Sequence, residues 1–214
     1  MQITLPKKEL LQKTGKVDYF YWNYKFPIKY IQLYRFKRIA KLLGKKKYSS
    51  LLEAGTGSGI FIPELSKHCD KIYGCDIHSN FDHVEALCKE YNVRNYDFST
   101  QSIEQTNYAD GQFDAVVAVS VLEFVPDLQK ALTEIKRILK KDGVFITVCP
   151  MKSKILDYVL SFYSTKKPVE EFGNSRDNVT RLLEENFIVE KKGYVIPIIG
   201  RLFPIYTHYK LRKV

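Results

Sequence analysis

The sequence contains no run of about eighteen apolar residues, so nothing in it reads as a membrane-spanning helix. Its first fifteen residues carry Lys7, Lys8 and Lys13 and lack the apolar stretch of a secretory signal. Cysteine is scarce, and Cys69, Cys75, Cys88 and Cys149 form no Cys-x-x-Cys pair and no cluster with histidine. That absence argues against a metal centre and for reduced, mostly buried thiols, with the cytoplasm as the expected address. No internal repeat or low-complexity tract is present, which excludes a solenoid or a disordered linker protein.

What is abundant is positive charge, and it is unevenly placed. Residues 1–50 hold 13 Lys/Arg against 2 Asp/Glu, residues 51–188 hold 15 against 21, and residues 189–214 hold 6 against 1. An acidic middle is flanked by two basic ends. Two readings stand open: a solvated lysine-rich surface, or a basic rim that attracts an anionic acceptor, a membrane surface or RNA.

From residue 50 to 150 short β-branched runs alternate with helix-length amphipathic stretches, the pattern of a parallel sheet with crossover helices. The spacing predicts strands at 50–53, 71–76, 93–98, 113–120 and 144–149. Helices are expected at 60–68, 81–91 and 128–139, the last with Asp127 as its cap. Residues 115–119 are apolar at every position, as in a central strand covered on both faces. Beyond Pro150 a helix is expected at 152–164, a loop at 166–174 and a helix at 178–186. Two late strands at 187–195 and 205–213 are joined by a turn at 196–204 that contains Pro197, Gly200 and Pro204. Before the sheet, residues 28–43 form a helix with an apolar stripe, preceded by an aromatic cluster at 19–24.

The strongest local signal is Leu51-Leu52-Glu53-Ala54-Gly55-Thr56-Gly57-Ser58-Gly59, a strand entering a glycine-rich turn ahead of a helix. Glycines at alternate positions let the backbone turn sharply and approach a ligand, with helix N-terminal amides expected to face it. A dinucleotide fingerprint needs glycine where Ile60 stands, and a Walker loop needs a Gly-Lys-Ser/Thr that is absent. An acidic residue ending the strand, Glu53, suits a ligand with a cationic amino-acid part better than a pyrophosphate. Asp76 closes the next strand about twenty residues on, where a carboxylate accepts from ribose hydroxyls. Together these features point to an adenosine ligand without a pyrophosphate.

Glu53-Ala-Gly-Thr-Gly-Ser-Gly59, Asp76, Phe113-Asp114-Ala-Val-Val117, Val121-Leu-Glu-Phe-Val-Pro-Asp127 and Glu134-Ile-Lys-Arg-Ile-Leu-Lys-Lys-Asp-Gly143 follow one another at characteristic intervals. This succession resembles the class I S-adenosylmethionine-dependent methyltransferases, and more narrowly the group with quinone-biosynthesis and small-molecule enzymes. The resemblance covers roughly residues 48–150 and implies a Rossmann-like α/β fold, a seven-stranded, mostly parallel sheet with an antiparallel last strand. One domain is expected over 1–214, with 1–47 as a basic, aromatic cover, 48–150 as the cofactor core and 151–214 on the acceptor side. The implied cofactor is S-adenosyl-L-methionine. The resemblance places Glu53, Gly55, Thr56 and Gly57 against its methionine part, Asp76 and Ile77 at its ribose, Ser102 and Ile103 at its adenine, and Ser120 facing cofactor or acceptor. At Ser102 the family usually has Asp, so the adenine bond there lacks charge assistance. Lys141-Asp142-Gly143 replaces a Pro-Gly-Gly turn and is expected to be structurally neutral.

Methyl transfer from a sulfonium is an in-line displacement with an activated donor, so alignment and exclusion of water are the main tasks. A general base is required only when the acceptor loses a proton, and no dyad in the sequence identifies one. His68 and His83 are expected at the surface, and His78 is expected to line the ligand. His208 is a weak candidate for the acceptor side, whereas Glu123 is a candidate for facing cofactor or acceptor. Residues 120–123 read Ser-Val-Leu-Glu rather than the Asn/Asp-Pro-Pro-Tyr/Phe of base and glutamine methylators. Arg35 falls inside the apolar stripe of the first helix and needs either a carboxylate partner or an exit to solvent. Tyr19, Tyr21, Trp22 and Tyr24 fit a lid, packing residues, a membrane-interface contact or an RNA-stacking surface. The expected function is methylation of a small or lipid-like acceptor. The alternatives are an RNA methyltransferase, with nucleic acid the less favoured partner, and a cofactor-binding interaction protein without catalysis.

Overall fold

The computed structural model describes residues 3–15, 18, 20–151, 175–196 and 205–213. Seven strands form one sheet: β1 (Tyr48–Ala54), β2 (Cys69–Asp76), β3 (Tyr96–Thr100), β4 (Phe113–Val119), β5 (Leu139–Pro150), β6 (Phe187–Tyr194) and β7 (Tyr206–Lys213). Their order is β3-β2-β1-β4-β5-β7-β6. The first five strands pair in parallel, and β7 runs antiparallel to both β5 and β6. The mostly parallel sheet with an antiparallel last strand is therefore present.

Because successive strand residues point to opposite faces, the central strands divide their apolar side chains between two cores. Leu51, Ala115, Val117, Ile146 and Val148 pack beneath α1 (Ile28–Leu43), α2 (Ile62–Leu65) and α3 (Asp82–Glu90). Leu52, Ala54, Val116, Ala118 and Phe145 pack on the other face with α4 (Leu128–Ile138) and α5 (Ser175–Asn186). Asp127 caps α4 as expected, accepting from the Lys130 amide at 3.0 Å.

Four elements depart from the sequence expectation by three residues or more. The helix expected at 60–68 shrinks to α2 and a 3-10 turn at Ser66–His68, because Gly55, Gly57 and Gly59 hold positive φ and Pro63 stands in the first turn. The strand expected at 93–98 begins at Tyr96. Val93 instead closes α3, donating its amide to the Cys88 carbonyl after Asn92 turns at φ 56°. At the other end α4 stops at Ile138, and β5 begins at Leu139, paired with Phe113 ahead of a register shift. Finally, α5 begins at residue 175 rather than 178. The helix at 152–164, the loop at 166–174 and most of the turn at 196–204 lie outside the described residues. Lys141, Asp142 and Gly143 are part of β5, with Gly143 tight against the Lys140 carbonyl.

The expectations for two side chains are corrected as well. His68 and His83, expected at the surface, are buried. Trp22 of the aromatic cluster is buried too, which fits its reading as a packing residue. The N-terminal segment provides part of the cover over α3, with the Lys7 amide donating to the Tyr91 hydroxyl and Lys7 Nζ paired with Glu90.

Candidate functional site

The strand order reverses between β1 and β4, where crossovers leave in opposite directions and open a crevice at the carboxyl ends of the strands. Glu53 and Gly55 sit at one lip and Ser120 at the other. A Cβ on Gly55 would meet Val121 Cγ2 at 2.2 Å, so glycine is required by contact as well as by its φ of 73°.

The loop's amides are directed inward. Gly55 N and Thr56 N donate to the Cys75 carbonyl, Gly59 N to the Thr56 carbonyl, and Gly57 N to Asp76 Oδ2 at 2.8 Å. The expectation that helix N-terminal amides face the ligand is corrected: α2 is four residues long and starts beyond the loop. Thr56 is likewise turned inward, its hydroxyl donating to the Glu53 carbonyl and packing against Gly74. It shapes the turn rather than offering a donor to a ligand.

Glu53 is buried, and its Oε2 has no partner among the described residues. Burial, with a smaller contribution from the charge of Asp76, pushes its carboxyl well above the usual carboxylate range. Asp76 is half-buried and bonded to the loop, its Oδ1 accepting from the His78 amide. Ile77 beside it is 80% exposed. His78 stands against the loop, its Nε2 3.2 Å from the Gly57 carbonyl. His83 lies close by, and burial, then His78, lowers its basicity. Thr14 Oγ1 is 3.9 Å from where a Gly57 Cβ would stand, so the N-terminal segment forms part of the wall.

Ser102 gives its hydroxyl proton to Glu104 Oε2 and accepts from the Glu104 amide, leaving one lone pair for a further donor. Ile103 is buried in the core beside Ala54 and Cys75.

The far lip is built around Arg35. Its guanidinium is buried and donates to two neutral groups, Gln32 Oε1 at 2.7 Å and Ser120 Oγ at 2.6 Å, and it lies 4.6 Å from the Tyr206 ring. Its Nε has no partner among the described residues. Ser120 holds φ 54°, a left-handed conformation that costs a non-glycine residue about 1 kcal/mol and marks functional sites. Glu123 is buried on the following 3-10 turn, and burial, with a smaller contribution from the Glu123 charge, pushes the Cys149 thiol up. His208 packs against Gly193, and burial with the Arg38 charge brings it down to about 4. Gln32 and Tyr206 were not anticipated. Gln32 is signalled by lying three residues before Arg35 on the same helical stripe, whereas Tyr206 has no local signal.

Residues 52–147 match the family model described as a methyltransferase domain. Those residues form a methyltransferase domain, and the chain has the fold of the class I S-adenosylmethionine-dependent methyltransferases. The chain is 25% identical over 165 residues to an uncharacterised methyltransferase of Schizosaccharomyces pombe, covering 70% of this chain and 62% of the relative. It is 27% identical over 139 residues to a ubiquinone biosynthesis O-methyltransferase of Coxiella burnetii, covering 64% and 59%. The chain thus spans about three fifths of the length of these curated relatives. Its fold matches that of the N-methyltransferase NodS of Bradyrhizobium japonicum in complex with S-adenosyl-L-homocysteine. There the TM-score is 0.68 and the identity 16%, over 96% of each chain.

The residues present fit the family's cofactor. The glycine turn leaves open space over Gly57, and near it lie a buried carboxyl oxygen at Glu53 and a guanidinium N–H at Arg35, each without a partner among the described residues. A zwitterionic amino-acid end needs one anionic and one cationic partner, and these two side chains are of those types.

Proposed function

We propose that the protein transfers the methyl group of S-adenosylmethionine to a small or lipid-like organic acceptor. The observation that carries this reading is the pair of buried ionisable side chains, Glu53 and Arg35, each with a polar atom that has no partner among the described residues. In this reading Glu53 receives the ammonium of the methionine part, and Arg35, oriented by Gln32 and Ser120, receives its carboxylate. Asp76 accepts from the ribose hydroxyls, with Ile77 offering apolar surface beside it. Ser102 uses its remaining lone pair for the adenine amino group, and Ile103 stiffens the turn from the core side.

When bound, the cofactor supplies a methyl group already activated on a sulfonium. The protein's remaining work is to hold the acceptor in line and keep water out. Ser120 and Glu123, at the end of β4, stand on the acceptor side of the crevice. The ubiquinone biosynthesis O-methyltransferase among the relatives favours an organic acceptor over a macromolecular one.

The test is calorimetric titration with S-adenosylmethionine and S-adenosylhomocysteine, followed by methyl-labelled transfer to phenolic, quinone-like and lipid acceptors. Both ligands are expected to bind, and label is expected to enter an organic-extractable product. Asp76→Ala should weaken both ligands by about 1.5–3 kcal/mol, the range for a hydrogen bond to a charged group. Binding of neither ligand would overturn the reading, and transfer to RNA alone would replace the acceptor class.

A further inference from the structure

Helix α1 has two faces with opposite chemistry. Inward it sends Gln32, Arg35, Phe36, Ile39, Leu42 and Leu43 into the crevice and the core. Outward, its stripe consists of aromatics and lysines alone. Phe26, just ahead of the helix, is 80% exposed, Tyr30 56% and Tyr34 46%. Lys37 and Lys41 are exposed among them, with exposed Lys29 on the adjoining flank. At 100° per residue, Lys37, Tyr30, Lys41 and Tyr34 fall within one strip about 60° wide, and Phe26 joins its start by packing against Tyr30. No acidic residue occurs between Asp18 and Glu53, and Lys45 and Lys46 continue the exposed charge past the helix end, while Lys47 pairs with Asp70.

We infer that this face of α1 docks the protein on an anionic phospholipid surface. From Tyr30 to Lys41 the strip runs about 16 Å, at 1.5 Å per residue, along one convex side of the helix. Aromatic rings with an apolar body and a polar tip settle at the headgroup level, where Tyr30 and Tyr34 would place their hydroxyls and Phe26 its ring. Lysines interleaved with them meet lipid phosphates, and a strip without a carboxylate presents nothing that such a surface repels. Charge complementarity therefore selects the occupant.

The same features fit RNA less well. Single-strand binders use a groove that tracks the backbone, with open ring faces and arginines. Here the edge is convex, Phe26 and Tyr30 pack edge to face at 6.1 Å, and Lys37 lies over the Tyr34 ring. Both arginines of the helix turn inward, Arg35 to the crevice and Arg38 to the Val195 carbonyl. Trp22 is buried and serves as a packing residue, so the docking surface lies further along the chain than the aromatic cluster at 19–24.

The inference is independent of which acceptor is methylated. Its test is flotation of the full chain with vesicles of phosphatidylcholine alone or mixed in equal parts with phosphatidylglycerol, at low and high salt. Wild type should float with the anionic vesicles at low salt, and with neither at high salt. The triple variant Lys29→Glu, Lys37→Glu, Lys41→Glu should lose on the order of a hundredfold in binding, about fivefold or more per lysine. Phe26→Ser, Tyr30→Ser, Tyr34→Ser together should lose at least about tenfold, since each ring removes buried apolar area. Lys89→Glu, Lys141→Glu, Lys191→Glu, the same charge change at exposed positions elsewhere, should keep most of it.

Titration with S-adenosylhomocysteine reports separately whether each variant holds its fold and cofactor site. If a triple variant loses that binding, the single variants Tyr34→Ser and Lys37→Glu carry the same comparison. Equal flotation with neutral and anionic vesicles would overturn the inference, as would equal losses in the two lysine triples or undiminished binding by the aromatic variant. Capture of a single-stranded RNA oligomer in place of vesicles would also overturn it.

Discussion

Glu53→Gln is expected to weaken cofactor binding while improving the pH tolerance of the empty protein. Glu53 is buried with an orphaned oxygen, and its carboxyl is raised above the usual range, so the empty site favours the neutral acid. A carboxyl raised in the folded state contributes stability at low pH that is lost as pH rises through its folded value. The stability of Glu53→Gln relative to wild type should therefore climb from pH 5 to pH 8, read as the difference in melting temperature between the ligand-free proteins. Binding follows the opposite course, because the cofactor's cation needs the ionised form. Wild-type affinity should fall as pH falls, with proton release detected by calorimetry in buffers of different ionisation enthalpy. In Glu53→Gln that pH dependence should vanish and affinity should drop by about 1.5–3 kcal/mol. Equal affinity in the variant would remove Glu53 from the site.

Arg35→Met is expected to be tolerated by the fold and damaging to binding. Replacing a buried charge by an apolar side chain of similar length is often neutral or stabilising, because the charge's desolvation penalty disappears with it. The lost guanidinium should cost cofactor affinity about 1.5–3 kcal/mol. Arg35→Lys should not restore it, since an ammonium lacks the planar fork that reaches Gln32 Oε1, Ser120 Oγ and a third acceptor together. The sharper comparison uses decarboxylated S-adenosylmethionine. Wild type should discriminate strongly against it, and Arg35→Met should bind both forms alike. Retained discrimination in the variant would place the cofactor's carboxylate elsewhere.

How much of this was legible in the chain depended on how local each signal is. The glycine turn, Glu53 and Asp76 are set by spacing within about 25 residues, and they occupy neighbouring strand ends where that spacing put them. The alternation from Leu51 to Ala54 and from Ala115 to Ala118 likewise yields two cores without knowledge of the partners. The misread positions are those whose burial depends on distant elements. His83 is polar and helical, which reads as exposed, yet it lies beneath the loop that carries Gly57. Val93 has strand character in isolation, but the Cys88 carbonyl holds it at the end of α3. Arg35 was visible as an anomaly in its stripe, whereas its contact with Tyr206 requires the order of the strands, which no local pattern encodes. Thr56 shows the limit of motif transfer: its place in the turn is as expected, but its hydroxyl faces the wrong way.

The place of β7 in the strand order has a consequence for how the protein is made. It inserts between β5 and β6, although both precede it in the chain. A nascent chain emerging from the ribosome can assemble β1 to β5, but β5 then presents an open edge until residues 206–213 have been translated. Until that moment β6 has no strand to pair with among the described residues. Tyr206, which stacks under Arg35, arrives with the same strand. Completion of the sheet and completion of the crevice therefore coincide, and a chain stalled before β7 would combine an exposed sheet edge with an unfinished site.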